Sequence, residues 1–146
     1  GKSTLARRLG EITKLPVIHL DKLHWLPNWT DPPKEEWRKT VAEALKGESW
    51  IMDGNFGGTM EMRLKACDTA ILLDLPRTTC VYRILKRIVL YRKKTRPDMA
   101  DGCDEKFDWK FIKWVWRFPA ETLPRVEERL KKIESEKTVI RLKSPK

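Results

Sequence analysis

Gly1-Lys2-Ser3-Thr4 opens the chain and leads directly into a helical pattern, with Leu5 and Leu9 at positions i and i+4. The N-terminus of a helix presents unpaired N–H groups and a partial positive charge, and both favour a phosphate group. In a loop that ends in G-K-[ST], the Lys ammonium bridges the β- and γ-phosphates and the Ser hydroxyl is a ligand of Mg²⁺. The stretch therefore predicts the second half of a nucleotide phosphate-binding loop. The alternative is four common residues at a chain terminus, with no ligand.

The first half of this Walker A motif, G-x-x-x-x, is absent, and the chain starts with Gly instead of Met. We expect the sequence to begin inside the motif, after a strand and the first glycines of the loop. A half-loop at a fraying terminus cannot enclose phosphates. We therefore expect the 146 residues to bind ATP weakly or not at all, and to be less stable than a longer parent.

Short apolar runs and helical periodicities alternate along the rest of the chain. The predicted strands are residues 15–20, 49–52, 70–73 and 138–142. The predicted helices are residues 3–12, 33–46, about 58–66, 78–94, 106–118 and 120–134. The alternation predicts an α/β fold with a doubly wound parallel sheet, and the length predicts a single domain over 1–146.

Composition indicates where the protein resides and what kind of partner it binds. No apolar run approaches the roughly 20 residues that span a bilayer, and no signal-peptide pattern is present, so we expect a soluble cytoplasmic protein without a membrane partner. Cys67, Cys80 and Cys103 are far apart, which indicates neither a disulfide framework nor a zinc site. The net charge of +10 favours an anionic partner: a nucleotide, a phosphorylated metabolite or a nucleic acid.

Two further segments resemble the adenylate kinases. Trp50-Ile51-Met52-Asp53-Gly54 is similar to their strand that ends in an Asp-Gly pair, and 71–76, Ile-Leu-Leu-Asp-Leu-Pro, is similar to the next strand. Arg83 and Arg87 then match a helix with two arginines at i and i+4. The runs 19–21, 53–56 and 95–98 resemble the small bacterial P-loop proteins labelled "DNA topology modulation protein". The label is not by itself a mechanism.

This resemblance implies a P-loop kinase that uses ATP and Mg²⁺. Gly1, Lys2, Ser3 and Thr4 would bind the nucleotide with Arg83 and Arg87, and Ser3 and Asp53 would hold Mg²⁺. Residues 94–123 would form a lid, from which Arg96 would join Lys2, Asp21, Asp53 and Arg87 as a catalytic residue. The alternatives are a solvated basic face for Arg83 and Arg87, a surface position for Arg96 and a turn-forming role for Asp53.

The acceptor side is predicted around Asp21, which follows the strand 17–20, because ligands of open parallel sheets bind beyond the carboxyl ends of strands. Kinases of the shikimate and gluconate type place an Asp here, whereas the alternative is a cap of the next loop. The arginine that grips a nucleoside monophosphate in adenylate kinases is absent after Asn55, so adenylate is a doubtful acceptor and Arg63 could substitute. Trp25 and Trp29 either wall the acceptor pocket or anchor the loop.

A strand preceding Gly1 would, by this resemblance, lie in the middle of the sheet, so its absence would divide the sheet in two.

The helix 106–118 carries a basic stripe of Lys106, Lys110, Lys113 and Arg117, with aromatic side chains predicted to pack on the opposite face. The favoured function is phosphoryl transfer to a small-molecule acceptor. The alternative is a nucleic-acid-binding protein that uses its basic surface, with a vestigial or regulatory P-loop.

Overall fold

The computed structural model describes residues 1–144, which form two compact units. The first unit contains Gly1–Arg63 and Lys94–Asp104, and the second contains Leu64–Lys93 and the described residues from Glu105 onward. The predicted lid region 94–123 is thus shared between the two units, and its role as a lid stays a prediction. Within residues 1–144, no helix is both long and apolar enough to cross a membrane.

Helices and strands alternate as the sequence predicts. The helices are α1 (Lys2–Thr13), α2 (Leu20–His24), α3 (Lys34–Ala44), α4 (Gly57–Ala66), α5 (Arg77–Leu90), α6 (Trp109–Glu121) and α7 (Leu123–Lys131), with a 3₁₀ turn at Pro27–Trp29. The strands are β1 (Val17–His19), β2 (Ile51–Asp53), β3 (Thr69–Leu73) and β4 (Thr138–Leu142).

Parallel strand pairs confirm the α/β class. β1 pairs with β2 in the first unit, with Val17 opposite Ile51 and His19 opposite Asp53. β3 pairs with β4 in the second unit, with Thr69 opposite Thr138. The described residues therefore contain two separate two-stranded parallel sheets, which agrees with the expected division of the sheet.

The core of the first unit forms where α2 and α3 pack beneath the ends of β1 and β2. Leu20, Trp37 and Val41 are buried, and Met52 and Phe56 pack against them. Trp37 and Val41 lie on the same face of α3 because they are four residues apart. This core fixes the start of α2 and the loop after β2, which are two of the segments around the candidate site.

The second unit buries one apolar stripe of α7 but leaves one face of its sheet open. Leu123, Val126 and Leu130 are buried at i, i+3 and i+7. Ile71 and Ile140 are direct partners across β3 and β4, and both are exposed. The continuous apolar run of residues 70–73 favours a buried strand, and this prediction is wrong on the exposed face. A continuous apolar run cannot by itself show which face of a strand is covered.

The helices after residue 105 begin and end at different residues from those predicted. α6 starts at Trp109 because the Asp108 carboxylate accepts hydrogen bonds from the N–H groups of Lys110 (2.8 Å) and Phe111 (3.2 Å). α6 then continues through Pro119, and the break falls at Thr122, where Pro124 stands in the first turn of α7. A proline is tolerated in a first turn because the N–H that it lacks would have no partner there.

Candidate active site

The carboxyl ends of β1 and β2 bring His19 beside Asp53. The two residues are direct partners in the parallel register, and His19 Nδ1 lies 2.5 Å from Asp53 Oδ1. Their side chains are only 15% and 10% exposed. His19 is a site residue that the sequence analysis missed, because a lone histidine has no recognisable spacing. Its place at the end of a predicted strand, two residues before Asp21, is the signal that could have found it.

Asp21 lies in the first turn of α2, directly after Leu20, which is buried in the core. Burial raises the pKa of the Asp21 carboxyl above its ordinary value of 3.8. The Lys2 ammonium, the Arg96 guanidinium and a hydrogen bond from the Trp25 side chain lower this pKa, whereas the Asp53 carboxylate raises it. The effects that raise the pKa outweigh those that lower it, so Asp21 holds a proton more readily than an exposed aspartate.

A third carboxylate, Asp98, lies at the same site in an ion pair. Arg96 Nη1 is 3.1 Å from Asp98 Oδ2, and the two side chains are 11% and 15% exposed. Burial raises the pKa of Asp98, but the Arg96 guanidinium, hydrogen bonds from the Ser3 hydroxyl and from its own backbone N–H, and the nearby His19 outweigh burial and hold the pKa below its ordinary value. Asp98 is therefore ionised at neutral pH.

The start of α1 supplies the predicted phosphate-binding residues. Gly1 is the N-cap residue, Lys2 and Thr4 are exposed, and Ser3 is half-buried. The first turn contains no acidic side chain, and the cap makes no side-chain hydrogen bond within the described residues. The positive end of the helix is thus left to partners from other segments.

These observations bring together four of the predicted site residues. Lys2, Asp53 and Arg96 each act electrostatically on Asp21, although the four residues come from α1, β2, α2 and the segment 94–104. The sequence could predict each residue singly, but the register of β1 with β2 and the packing of 94–104 decide that they meet.

The segment 94–104 is held on the first unit by its C-terminal half. The N–H of Asn28 donates to the carbonyl of Gly102 at 3.1 Å, and Trp29 Nε1 donates to the carbonyl of Asp104 at 3.1 Å. Met99 and Cys103 are buried. These contacts fix the position from which Arg96 and Asp98 reach the start of α1.

The loop after β2 is shaped by Arg63. Its guanidinium donates to the carbonyl of Gly54 at 3.1 Å and to the carbonyl of Phe56 at 2.7 Å. Asn55 lies between these two residues and is half-buried. Arg63 therefore supports the loop that carries Asn55, and the predicted contacts of both side chains with an acceptor stay predictions.

Gly54 permits this loop to approach the core. Its φ is +145°, and a Cβ added there would lie 2.7 Å from Leu20 Cβ and 2.9 Å from Leu20 Cδ1. We expect Gly54→Ala to lower the free energy of unfolding by about 1–3 kcal/mol, because Leu20 is fully buried and has no room to shift. Urea denaturation measures the change.

Gly58→Ala is the matched control, because a Cβ there has no atom within 4 Å and the residue lies in α4. Alanine favours a helix over glycine by about 1 kcal/mol, so this control should be neutral or stabilising. Equal destabilisation by the two substitutions would show that the close approach to Leu20 does not matter.

Trp25 belongs to an aromatic cluster beside the site. Its ring centroid lies 5.5 Å from that of Trp29 and 4.9 Å from that of His24. His24 is buried against Trp37 and Phe56, and its Nε2 lies 2.8 Å from Asp31 Oδ1. The cluster supports the loop-anchor interpretation of Trp25, and its hydrogen bond to Asp21 also places it at the site.

Arg83 and Arg87 lie on α5 in the second unit. Arg87 Nη2 is 3.1 Å from Oε1 of the buried Glu105, and its guanidinium lies 5.9 Å from the centre of the Phe111 ring. Arg83 is half-buried. Arg87 is therefore not part of a fully solvated basic face, and the nucleotide-binding roles of both arginines stay predictions.

The aromatic side chains around α6 are not packed as predicted. Of the predicted aromatic face, Phe107 is 59%, Phe111 38% and Trp114 40% exposed, and Phe118 is half-buried. Ile112 is buried in their place. The buried stripe of the helix is therefore rotated relative to the predicted one, because α6 buries its branched aliphatic residue and leaves the larger rings outside.

The oxygen donors at the first-unit site fit Mg²⁺. Mg²⁺ in proteins usually takes one or two carboxylates, several waters and the phosphate oxygens of a substrate. The Ser3 hydroxyl and the Asp53 carboxylate are ligands of this kind. Residues 1–144 contain no group of three or more His, Cys, Asp or Glu side chains arranged to hold a metal, and a magnesium ion shared with a substrate requires none.

Comparisons with protein-family models, with curated proteins and with solved structures found no match to this chain.

Proposed function

We propose that the longer parent protein expected above binds ATP·Mg²⁺ at the start of α1 and transfers a phosphoryl group to a small-molecule acceptor beside Asp21. The acceptor would be a nucleoside, a nucleotide or a small hydroxylated metabolite. The observation that carries the proposal is the convergence of Lys2 and Arg96 with Asp21 and Asp53. Phosphoryl transfer uses cations that neutralise the phosphates and carboxylates that orient the nucleophile or hold the metal. The two cations and two carboxylates, which come from four separate segments, are groups of these kinds.

Each of these side chains has a role in the proposed reaction. Phosphoryl transfer depends mainly on positioning and on neutralisation of charge, which Lys2 and Arg96 would supply at the phosphates. The Asp21 carboxylate would orient the acceptor hydroxyl and accept its proton, and a raised pKa suits this task. Bound Mg²⁺, held by Ser3 and Asp53, would neutralise charge on the phosphate oxygens. His19 would orient the Asp53 carboxylate through their 2.5 Å contact.

The finer assignments belong to the same proposal. We include in it the doubly wound P-loop fold, with which the parallel pairs β1-β2 and β3-β4 are compatible. The proposal also retains Arg83 and Arg87 for the nucleotide, and Trp25, Asn55 and Arg63 for the acceptor.

A kinase screen tests the proposal. ADP release would be followed with ATP and Mg²⁺ across nucleosides, nucleotides and hydroxylated metabolites, and ³¹P NMR would identify the phosphorylated product. We expect one acceptor class to raise ADP release well above the rate of a Lys2→Ala control. No acceptor-dependent release above that control would reject the kinase.

A second candidate function, binding of single-stranded nucleic acid by the second unit, is favoured by the exposed rings of α6. Trp109, Trp114 and Trp116 are exposed on the same helix as the exposed Lys110 and Lys113. Arg77 also lies 4.3 Å from the centre of the Trp116 ring. Alternating cations and exposed rings form the surface on which bases stack and phosphates pair.

Fluorescence anisotropy with a labelled oligonucleotide tests this candidate at several salt concentrations. Binding should weaken steeply with salt, and Trp114→Ala should cost about 1–3 kcal/mol if a base stacks there. Lys113→Gln should also weaken binding, whereas Lys39→Gln on α3 of the first unit makes the same charge change elsewhere and should not. Equal effects of the two Lys substitutions would show that net charge alone causes the binding, and not a specific surface on α6.

A further inference from the structure

Asp98 places a carboxylate where the proposed function requires a phosphate. Its partners are the Ser3 hydroxyl at the start of α1 and the Arg96 guanidinium at 3.1 Å. Both partners are residues that the proposed function assigns to ATP or its Mg²⁺. Asp98 is 15% exposed, so its contacts are those of a fitted side chain and not of a surface pair.

The partners of Asp98 are the kind that a phosphate oxygen takes. A carboxylate and a phosphate both accept charge-assisted hydrogen bonds from guanidinium groups, and both are stabilised at the positive end of a helix. α1 brings no acidic side chain of its own to its first turn. Asp98 therefore supplies from another segment the negative charge that this helix end lacks.

We propose that Asp98 is a built-in competitor for phosphate, which blocks the start of α1 until a polyphosphate displaces it. This inference rests on the proposed function and adds a mode of regulation to the same site. Displacement of Asp98 would break its ion pair with Arg96. Binding of the nucleotide would therefore release the arginine that neutralises the phosphates.

The charges at the site explain why displacement is needed. Lys2 and Arg96 face three carboxylates, those of Asp21, Asp53 and Asp98. The three carboxylates would repel a triphosphate strongly at short range. Displacement of Asp98 lowers that repulsion most directly, because Asp98 and the phosphate share the same partners. A ligand with several charges gains more from the freed cations than inorganic phosphate does. The device therefore favours polyphosphates over monophosphate.

We expect a rotation of the Asp98 side chain to be sufficient for the exchange. The next residue, Met99, is buried, and the carbonyls of Gly102 and Asp104 accept hydrogen bonds from the 3₁₀ turn. These contacts hold the rest of the segment in place. We therefore expect no unfolding of 94–104 when the ligand enters.

Calorimetric titration of tripolyphosphate without Mg²⁺, and of ATP with Mg²⁺, tests the inference on the longer parent protein, since the 146 residues alone are expected to bind ATP weakly or not at all. We expect Asp98→Asn to bind tripolyphosphate at least about tenfold more tightly than the wild type. Asp101→Asn removes the same charge from an exposed position in the same segment and should bind as the wild type does. Asp98→Ser serves as a second variant, and circular dichroism checks that each variant is folded.

The outcomes separate this inference from the proposed function. If the wild type binds tripolyphosphate and the folded Asp98 variants bind it equally or more weakly, Asp98 is not a competitor, and the kinase proposal still stands. If the variants bind only ATP·Mg²⁺ more weakly, Asp98 is a metal ligand, which also overturns the inference. Tight binding that survives in the Lys2→Ala, Asp98→Asn double variant would place the ligand elsewhere and overturn it. No binding by the wild type or by any Asp98 variant would reject both the competitor and the proposed function.

Discussion

In the longer parent protein, Lys2→Ala should nearly abolish phosphoryl transfer, lowering kcat/KM by about 10²–10³-fold, and leave folding almost unchanged. The Lys2 ammonium would act on the phosphates in the proposed reaction, it lowers the pKa of Asp21, and the Lys2 side chain is exposed. Its removal thus costs charge neutralisation at the site and little packing. Acceptor-dependent ADP release measures the first effect, and thermal denaturation measures the second.

Arg8→Ala is the control for Lys2→Ala, because it removes one exposed positive charge from the same helix. It should keep both activity and stability near those of the wild type. Near-normal turnover of the Lys2→Ala variant would remove Lys2 from the site, and with it the phosphate-binding interpretation of the start of α1.

Asp21→Asn should lower kcat by about 10²–10⁴-fold, with a much smaller change in the KM for ATP, because the lost carboxylate would orient the acceptor and not the nucleotide. The same substitution should raise the free energy of unfolding at neutral pH. Burial makes the ionised Asp21 unfavourable in the folded state, and an uncharged amide relieves that penalty.

The sign of the pH dependence follows from the raised pKa. Below the ordinary value of 3.8, Asp21 is protonated in both the folded and the unfolded chain, so the wild type and the variant should be close in stability. As the pH rises from 3.8 through the folded pKa, the unfolded chain releases the proton more readily, and the wild type loses stability relative to Asp21→Asn. The advantage of the variant should be complete above the folded pKa.

Urea denaturation of both proteins at several pH values measures this difference. Asp101→Asn removes an exposed carboxylate and should show no pH-dependent gain. A constant difference between Asp21→Asn and the wild type across pH would show that burial does not act on the Asp21 carboxyl. An unchanged kcat would remove Asp21 from the reaction.

A stability gain that accompanies a loss of activity would mark Asp21 as a residue kept for function. Asp53 contributes to the raised pKa of Asp21. Two carboxylates close enough to repel one another destabilise a fold unless a ligand or a cation uses them. Asp53→Asn should therefore also lower kcat more than it raises the KM for ATP.

The sequence by itself determined most of the local structure. α1, α3, α4 and α5, and all four strands, lie within a few residues of the predicted ranges, because apolar periodicity and Gly or Pro boundaries act within a few residues along the chain. Asp21 and Asp53 could be singled out because each stands at the end of a predicted strand. Lys2 and Ser3 could be singled out by their motif.

Only the tertiary structure decided which of these residues meet. The register of β1 with β2 places His19 against Asp53, and the anchoring of 94–104 brings Arg96 and Asp98 to the start of α1. It also decided that most of the rings of α6 stay exposed. The physical reason is that strand register, burial and charge pairing depend on residues far apart in the chain, whereas the periodicities read from a sequence report only which face of one element is apolar.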